Sequence, residues 1–139
     1  MLSRSVNQLV GYGLGAVYAL VGLIGFTVSG GHEFAGPHGG HLLGIFAVNG
    51  LHNVVHLLVG GALIGAAAIG AAASKTVNTL VGAVYLAVGV VGLLVGSGSL
   101  NLLALNAPDH VLHFASAIGL LAVGLAADRV ARRSPAHTG

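Results

Sequence analysis

Eight histidines stand in a chain of 139 residues that has only five Lys and Arg and three Asp and Glu. Imidazole is therefore the chemistry this sequence offers first. His52 and His56 are four apart, which on a helix puts both rings on one face with about 5–6 Å between Cβ atoms. That spacing can chelate a single metal ion. His110 and His113 are three apart, with Asp109 just before them. His52, His56, Asp109 and His113 are the predicted ligands of a divalent metal, a mixed imidazole and carboxylate set. His56 and His113, on different helices, are alternatively placed to hold a b-type haem from opposite faces. Without a cofactor, the two rings would act as a clasp, hydrogen-bonding Asn53, Tyr18, Tyr85 or each other. A substrate or proton pathway is the further alternative. His32, Glu33, His38 and His41 belong to a connecting loop, which reads either as a metal-binding loop or as a solvated linker. Asn49 and Asn106 each stand three residues before His52 and Asp109, and Asn is a favoured helix N-cap. Asn106 with Asp109 resembles a capping box.

Other chemistry has little foothold. Ser74, Ser97, Ser99 and Ser116 lack a nucleophile motif, and one carboxylate per half forms no acid–base pair. No enzymatic activity is expected. With no cysteine, disulfides, thiolate metal sites and covalently attached c-type haem are excluded. Five scattered basic residues are too few for a nucleic-acid footprint.

The elements that position the histidines follow from composition. Hydrophobic residues make up 55% and charged residues 6%, whereas a soluble domain carries about a quarter charged. The expected surroundings are a lipid bilayer. Its hydrocarbon core, about 30 Å thick, needs roughly 20 apolar residues per helix. Four segments meet that need, Leu9–Val28, Leu51–Ala73, Val77–Val95 and Val111–Ala127. Their continuous apolar runs argue for helices over barrel strands. The first is expected to remain as an uncleaved span, being longer than a signal-peptide core and lacking a clear cleavage site. The fold class expected is all-α, a four-helix transmembrane bundle in one membrane domain. Arg4, Lys75, Arg129, Arg132 and Arg133 all fall on one side, which the positive-inside rule makes cytoplasmic. Both termini are then inside, in a bacterial plasma membrane, with residues 128–139 as a cytoplasmic tail. Polarity is expected only in the outer leaflet, spans one and three being apolar apart from their tyrosines.

The chain also repeats itself. Gly15-Ala16-Val17-Tyr18, Val21-Gly22 and Gly25 match Gly82-Ala83-Val84-Tyr85, Val88-Gly89 and Gly92. Leu42-Leu43, Val48-Asn49, His52 and His56 match Leu102-Leu103, Leu105-Asn106, Asp109 and His113. Repeat one covers about residues 8–73 and repeat two about 75–127, the first carrying an insertion around Gly30–Gly40. Two spans per repeat make this a parallel duplication, with a pseudo-twofold axis along the membrane normal. Stripes of small residues predict close helix packing. They comprise Gly11, Gly15, Gly22 and Gly25 in span one, and Gly82, Gly89, Gly92 and Gly96 in span three. A third is expected from Gly61, Gly65, Ala68 and Ala72 in span two. The same stripes could bind another subunit.

Gly15-x-Val17-Tyr18-x-x-x-Gly22-x-x-Gly25 followed by Leu42-Leu43-Gly44-Ile45-Phe46-x-Val48-Asn49-x-x-His52-Asn53-x-x-His56-Leu57 resembles a family of small four-span bacterial membrane proteins known only as a domain of unknown function. The second copy resembles the family's Asn-x-x-Asp-Asn-x-x-His, with His110 standing where Asn is expected. Ala47 stands where proline is usual. The resemblance covers about residues 8–127 and implies a multi-pass membrane protein without supplying an activity. The expected role is structural, or that of an accessory subunit packed against larger membrane complexes or a second copy of itself. The alternative is a metal- or haem-binding membrane protein.

Overall fold

A computed structural model describes residues 4–128. Arg129, Arg132, Arg133 and the rest of the expected tail lie outside the described residues. Four helices carry the fold: α1 (Val6–Ser29), α2 (Gly50–Ile69), α3 (Ala71–Val95) and α4 (Ala107–Ala126). All four are long and apolar enough to cross a membrane. At 1.5 Å per residue, the 20 residues of α2 or α4 reach about 30 Å, one hydrocarbon thickness. The molecule is an all-α membrane bundle.

Each helix begins where local chemistry starts it. Ser5 caps α1 and accepts from the Gln8 amide, while the Gln8 side chain accepts from the Ser5 amide. Asn49 caps α2 by accepting from the His52 amide. Asn106 and Asp109 form a reciprocal box at the start of α4, with Pro108 in the first turn. No loop separates α2 from α3; the chain turns on Gly70 alone, at φ 149°. That conformation is open to glycine and strained for other residues. Helix α3 thus begins several residues earlier than hydropathy suggested, taking in Ser74 and Lys75. Between α1 and α2 the chain adds a feature not expected from sequence, a short antiparallel hairpin of β1 (Gly40–Leu42) and β2 (Phe46–Val48).

Helix α1 packs chiefly on α2 and α3 chiefly on α4, with fewer contacts crossing between the two hairpins. The expected stripes on α1 and α3 are buried at Gly11, Gly15, Gly22, Gly25, Gly82, Gly89 and Gly92, while Gly96 is exposed beyond the end of α3. The approach to partner backbone is close at Gly22, where an added Cβ would lie 2.8 Å from the Asn53 carbonyl oxygen. The stripe expected on span two is displaced. Gly61, Gly65, Ala68 and Ala72 face outward, and the packed positions are Gly60, Leu63, Ala66 and Ala67. One step along a helix turns a side chain by about 100°, enough to exchange the packed and lipid-facing sides.

Tyr18, Leu63, Tyr85, Ala117 and Leu120 form the buried centre. Polar side chains lie at both ends of it, which corrects the expectation that polarity stops in one leaflet. At the end holding the first turn of α1, Asn7 donates from Nδ2 to the Val123 carbonyl and to Asp128. Asn78 donates to the Asn7 side chain at 2.9 Å and to its backbone oxygen. Lys75 reaches the Ala127 carbonyl, and Ser74 donates to Ala66 and Gly70 oxygens. Asp128 accepts from the Val6 and Asn7 amides. It therefore belongs to the bundle rather than to a free tail.

Candidate functional site

The opposite end is where the histidines converge. His52 and His56 project from α2 and His113 from α4, with one nitrogen of each lying within 4.8 Å of the others. All three are buried, at 1%, 3% and 2% exposure. The cause is the motif itself: a cap at Asn49 starts α2 so that positions three and seven residues later face inward. The Asn106 cap does the same for Asp109 and His113. His56 stands seven residues past Asn49, about 10 Å along the helix.

Within this cluster the two Nε2 atoms of His52 and His56 are 3.1 Å apart, one carrying its proton toward the other. The Nδ1 atoms of all three rings have no protein partner. Tyr85 stacks on His113 with centroids 5.1 Å apart and planes 17° apart. Tyr18 leans on His56 and on Tyr85, at 5.3 and 5.1 Å. The hydroxyl of Tyr18 bonds Ser116, while that of Tyr85 is buried without a partner. Unpaired polar groups in an apolar interior cost free energy and call for a partner. The histidines themselves form no interhelical hydrogen bond among the described residues, contrary to the clasp expectation. Beside the cluster, the bond that crosses from α1 to α4 belongs to Tyr18 and Ser116.

Asp109 is not part of this group. Its Oδ2 accepts from the Asn106 amide at 2.9 Å, which commits it to starting the helix. The predicted metal set of four thus loses its carboxylate and keeps His52, His56 and His113. A haem held between His56 and His113 does not fit either. Their centroids are 6.4 Å apart, but the His52 ring packs 4.4 Å from one and 5.9 Å from the other, filling space a porphyrin would need.

Asn49 and Asn106 do more than cap. Asn49 donates to the carbonyls of Gly36 and Leu102, and Asn106 donates to that of Ile45. Each cap therefore ties its own hairpin to the loop of the other. Asn53 and His110 fill equivalent notches, Asn53 against Gly25 and His110 against Gly92. That accounts for the residue at 110 in space-filling: the notch accepts an imidazole. His32, His38 and His41 lie apart from the buried trio, on the exposed side of the loops. Sequence reading missed the Asn7–Asn78–Asp128 network, whose members are isolated polar residues at span ends with no shared spacing.

Four membrane-spanning helices around a buried histidine–tyrosine cluster define a small integral membrane protein. The chain belongs to the family described as Domain of unknown function (DUF4383), whose model matches residues 8–126. No curated protein and no solved structure matches it.

Proposed function

We propose that this is a non-enzymatic membrane protein whose specific chemistry is to hold one transition-metal ion on His52, His56 and His113. The observation carrying this reading is the meeting of three buried imidazoles within 4.8 Å. Tetrahedral coordination with bonds of about 2.0–2.1 Å puts ligand nitrogens about 3.3 Å apart. The His52–His56 separation of 3.1 Å is already near that value. Rotation of the His113 ring would close the remaining edges and leave a fourth position for water. Neutral nitrogen donors without carboxylate or thiolate suit zinc, copper, nickel or iron rather than magnesium or calcium. In the membrane the protein works alone or packs as an accessory subunit against other membrane proteins, through the apolar outer faces of its helices. Its termini are cytoplasmic in a bacterial plasma membrane: Arg4 and Lys75 mark the inner end, and the sequence from 30 to 109 outside the spans of α2 and α3 carries no Lys or Arg on the opposite side. The duplication reading is supported by the two cap conformations, φ −117° at Asn49 and −120° at Asn106, both with ψ −179°.

Metal content and an absorbance spectrum of protein purified without added metal test the site. One transition-metal ion per chain and no Soret band are expected. His56→Gln with His113→Gln should stay folded, because glutamine still hydrogen-bonds, but should lose the ion. A folded native protein that takes up no metal on dialysis against zinc or copper would overturn the reading.

A further inference from the structure

The three converging imidazoles offer an ion neutral donors and no charge. His52, His56 and His113 are buried at 1%, 3% and 2% exposure, with one nitrogen of each within 4.8 Å of the others. Among the described residues no carboxylate hydrogen-bonds any of the three rings. We propose that the trio selects a monovalent ion, Cu(I), over divalent ions such as Zn²⁺. This selectivity rests on the trio being a metal site and names the ion that such a site would favour.

Charge balance carries the argument. Moving an ion out of water costs free energy that rises with the square of its charge. A divalent ion therefore costs about four times what a monovalent ion of similar size does. Zinc sites commonly offset that cost with thiolate or carboxylate ligands, or with carboxylates behind the imidazoles. This trio has neither. At its end of the bundle Glu33 is exposed in the loop. The buried carboxylate there is Asp109, whose Oδ2 is engaged by the Asn106 amide. A single buried carboxylate balances one positive charge and no more. The aromatic neighbours add none. Tyr85 stacks on His113 and Tyr18 leans on His56, and a phenol is uncharged in its ordinary form. Nor does solvent come close: two cavities at this end, of about 580 and 340 Å³, are lined by none of the three rings. A tetrahedral divalent ion needs water or hydroxide in its fourth position, whereas Cu(I) is complete with three nitrogens. Imidazole is a good donor to copper, so the lower charge is gained without loss of ligand fit.

The test uses the full chain in detergent under argon. It is titrated against Cu(I) held by bicinchoninate with ascorbate present and, separately, with zinc sulfate against a zinc indicator. The native protein should withdraw one Cu(I) per chain, with a Kd at least about 100-fold below that for Zn²⁺. His56→Gln with His113→Gln should lose that Cu(I); if this double variant does not fold, loss in His52→Gln alone serves in its place. Charge is isolated by comparing His52→Glu with His52→Gln, which match in size and differ by one carboxylate. The ratio of Zn²⁺ to Cu(I) affinity should be at least about tenfold higher in His52→Glu. Zn²⁺ bound by the native protein as tightly as Cu(I), and lost in the double variant, would overturn the selectivity while leaving the trio standing. Equal ratios in the two His52 variants would likewise overturn it, since charge would not set the preference. Uptake of neither ion, or uptake of both unchanged in the double variant, would overturn the trio itself.

Discussion

At the scale of single residues, the type of atom that meets each glycine decides what a substitution does. A Cβ at Gly22 would meet backbone, the Asn53 carbonyl at 2.8 Å and the Leu57 amide nitrogen at 3.1 Å. A Cβ at Gly89 would meet the Phe114 ring at 3.0 Å, and a ring can turn. At Gly31 it would meet nothing within 4 Å. Gly22→Ala should therefore lower thermal stability in detergent by about 1–3 kcal/mol, the usual cost of overpacking. Gly89→Ala should cost clearly less, and Gly31→Ala close to nothing. Equal losses at Gly22 and Gly31 would show that backbone contact does not govern the effect.

Among the elements, the ends of α1 and α4 away from the histidines are held by a carboxylate that sits outside the spans. The Asn7 amide, helped by the Asn7 side chain and the Val6 amide, holds Asp128 below its ordinary value of 3.8. A depressed carboxylate stabilises the fold above its unfolded value, and the contribution is lost as pH falls through the folded value. Asp128→Asn should thus melt below the native protein at pH 7, with the difference shrinking as the buffer approaches pH 3. A gap unchanged across that range would mean the charge contributes nothing. This network was illegible in the sequence because Asn7, Asn78 and Asp128 share no period and each looks like an ordinary span flank. The four spans were legible, since twenty apolar residues in a row have one economical arrangement in lipid. The hidden side of α2 was not: Gly60 and Gly61 are adjacent small residues, and only packing against Gly15 and Ala19 selects the first. The histidine pair at 52 and 56 was visible by its spacing. The fate of Asp109 was ambiguous because one carboxylate can cap a helix or ligate a metal, and here the cap takes it.

For the molecule as a whole, orientation is the property that gives the site its direction. Cysteines placed at Gly31 and Ser99, both exposed at the histidine end, should react with an impermeant thiol reagent applied to intact cells. One at Thr76, exposed at the other end, should react only after permeabilisation. Ser74 is unsuited to this purpose, being buried and bonded to Ala66 and Gly70, and Gly36 is unsuited because its φ is 156°. Labelling of Thr76→Cys alone in intact cells would invert the molecule and put the histidine end in the cytoplasm.

The crossed asparagines bear on how such a chain is made. During synthesis the first hairpin leaves the ribosome before Leu102 exists, so the Asn49 amide must wait for part of its acceptor set. Asn106, emerging later, finds the Ile45 carbonyl already made. Until then the first hairpin is unfinished, its Asn49 amide having only the Gly36 carbonyl of its two acceptors. The second hairpin completes the first as it arrives, since the loop before α4 brings the Leu102 carbonyl that the cap of α2 lacks until then.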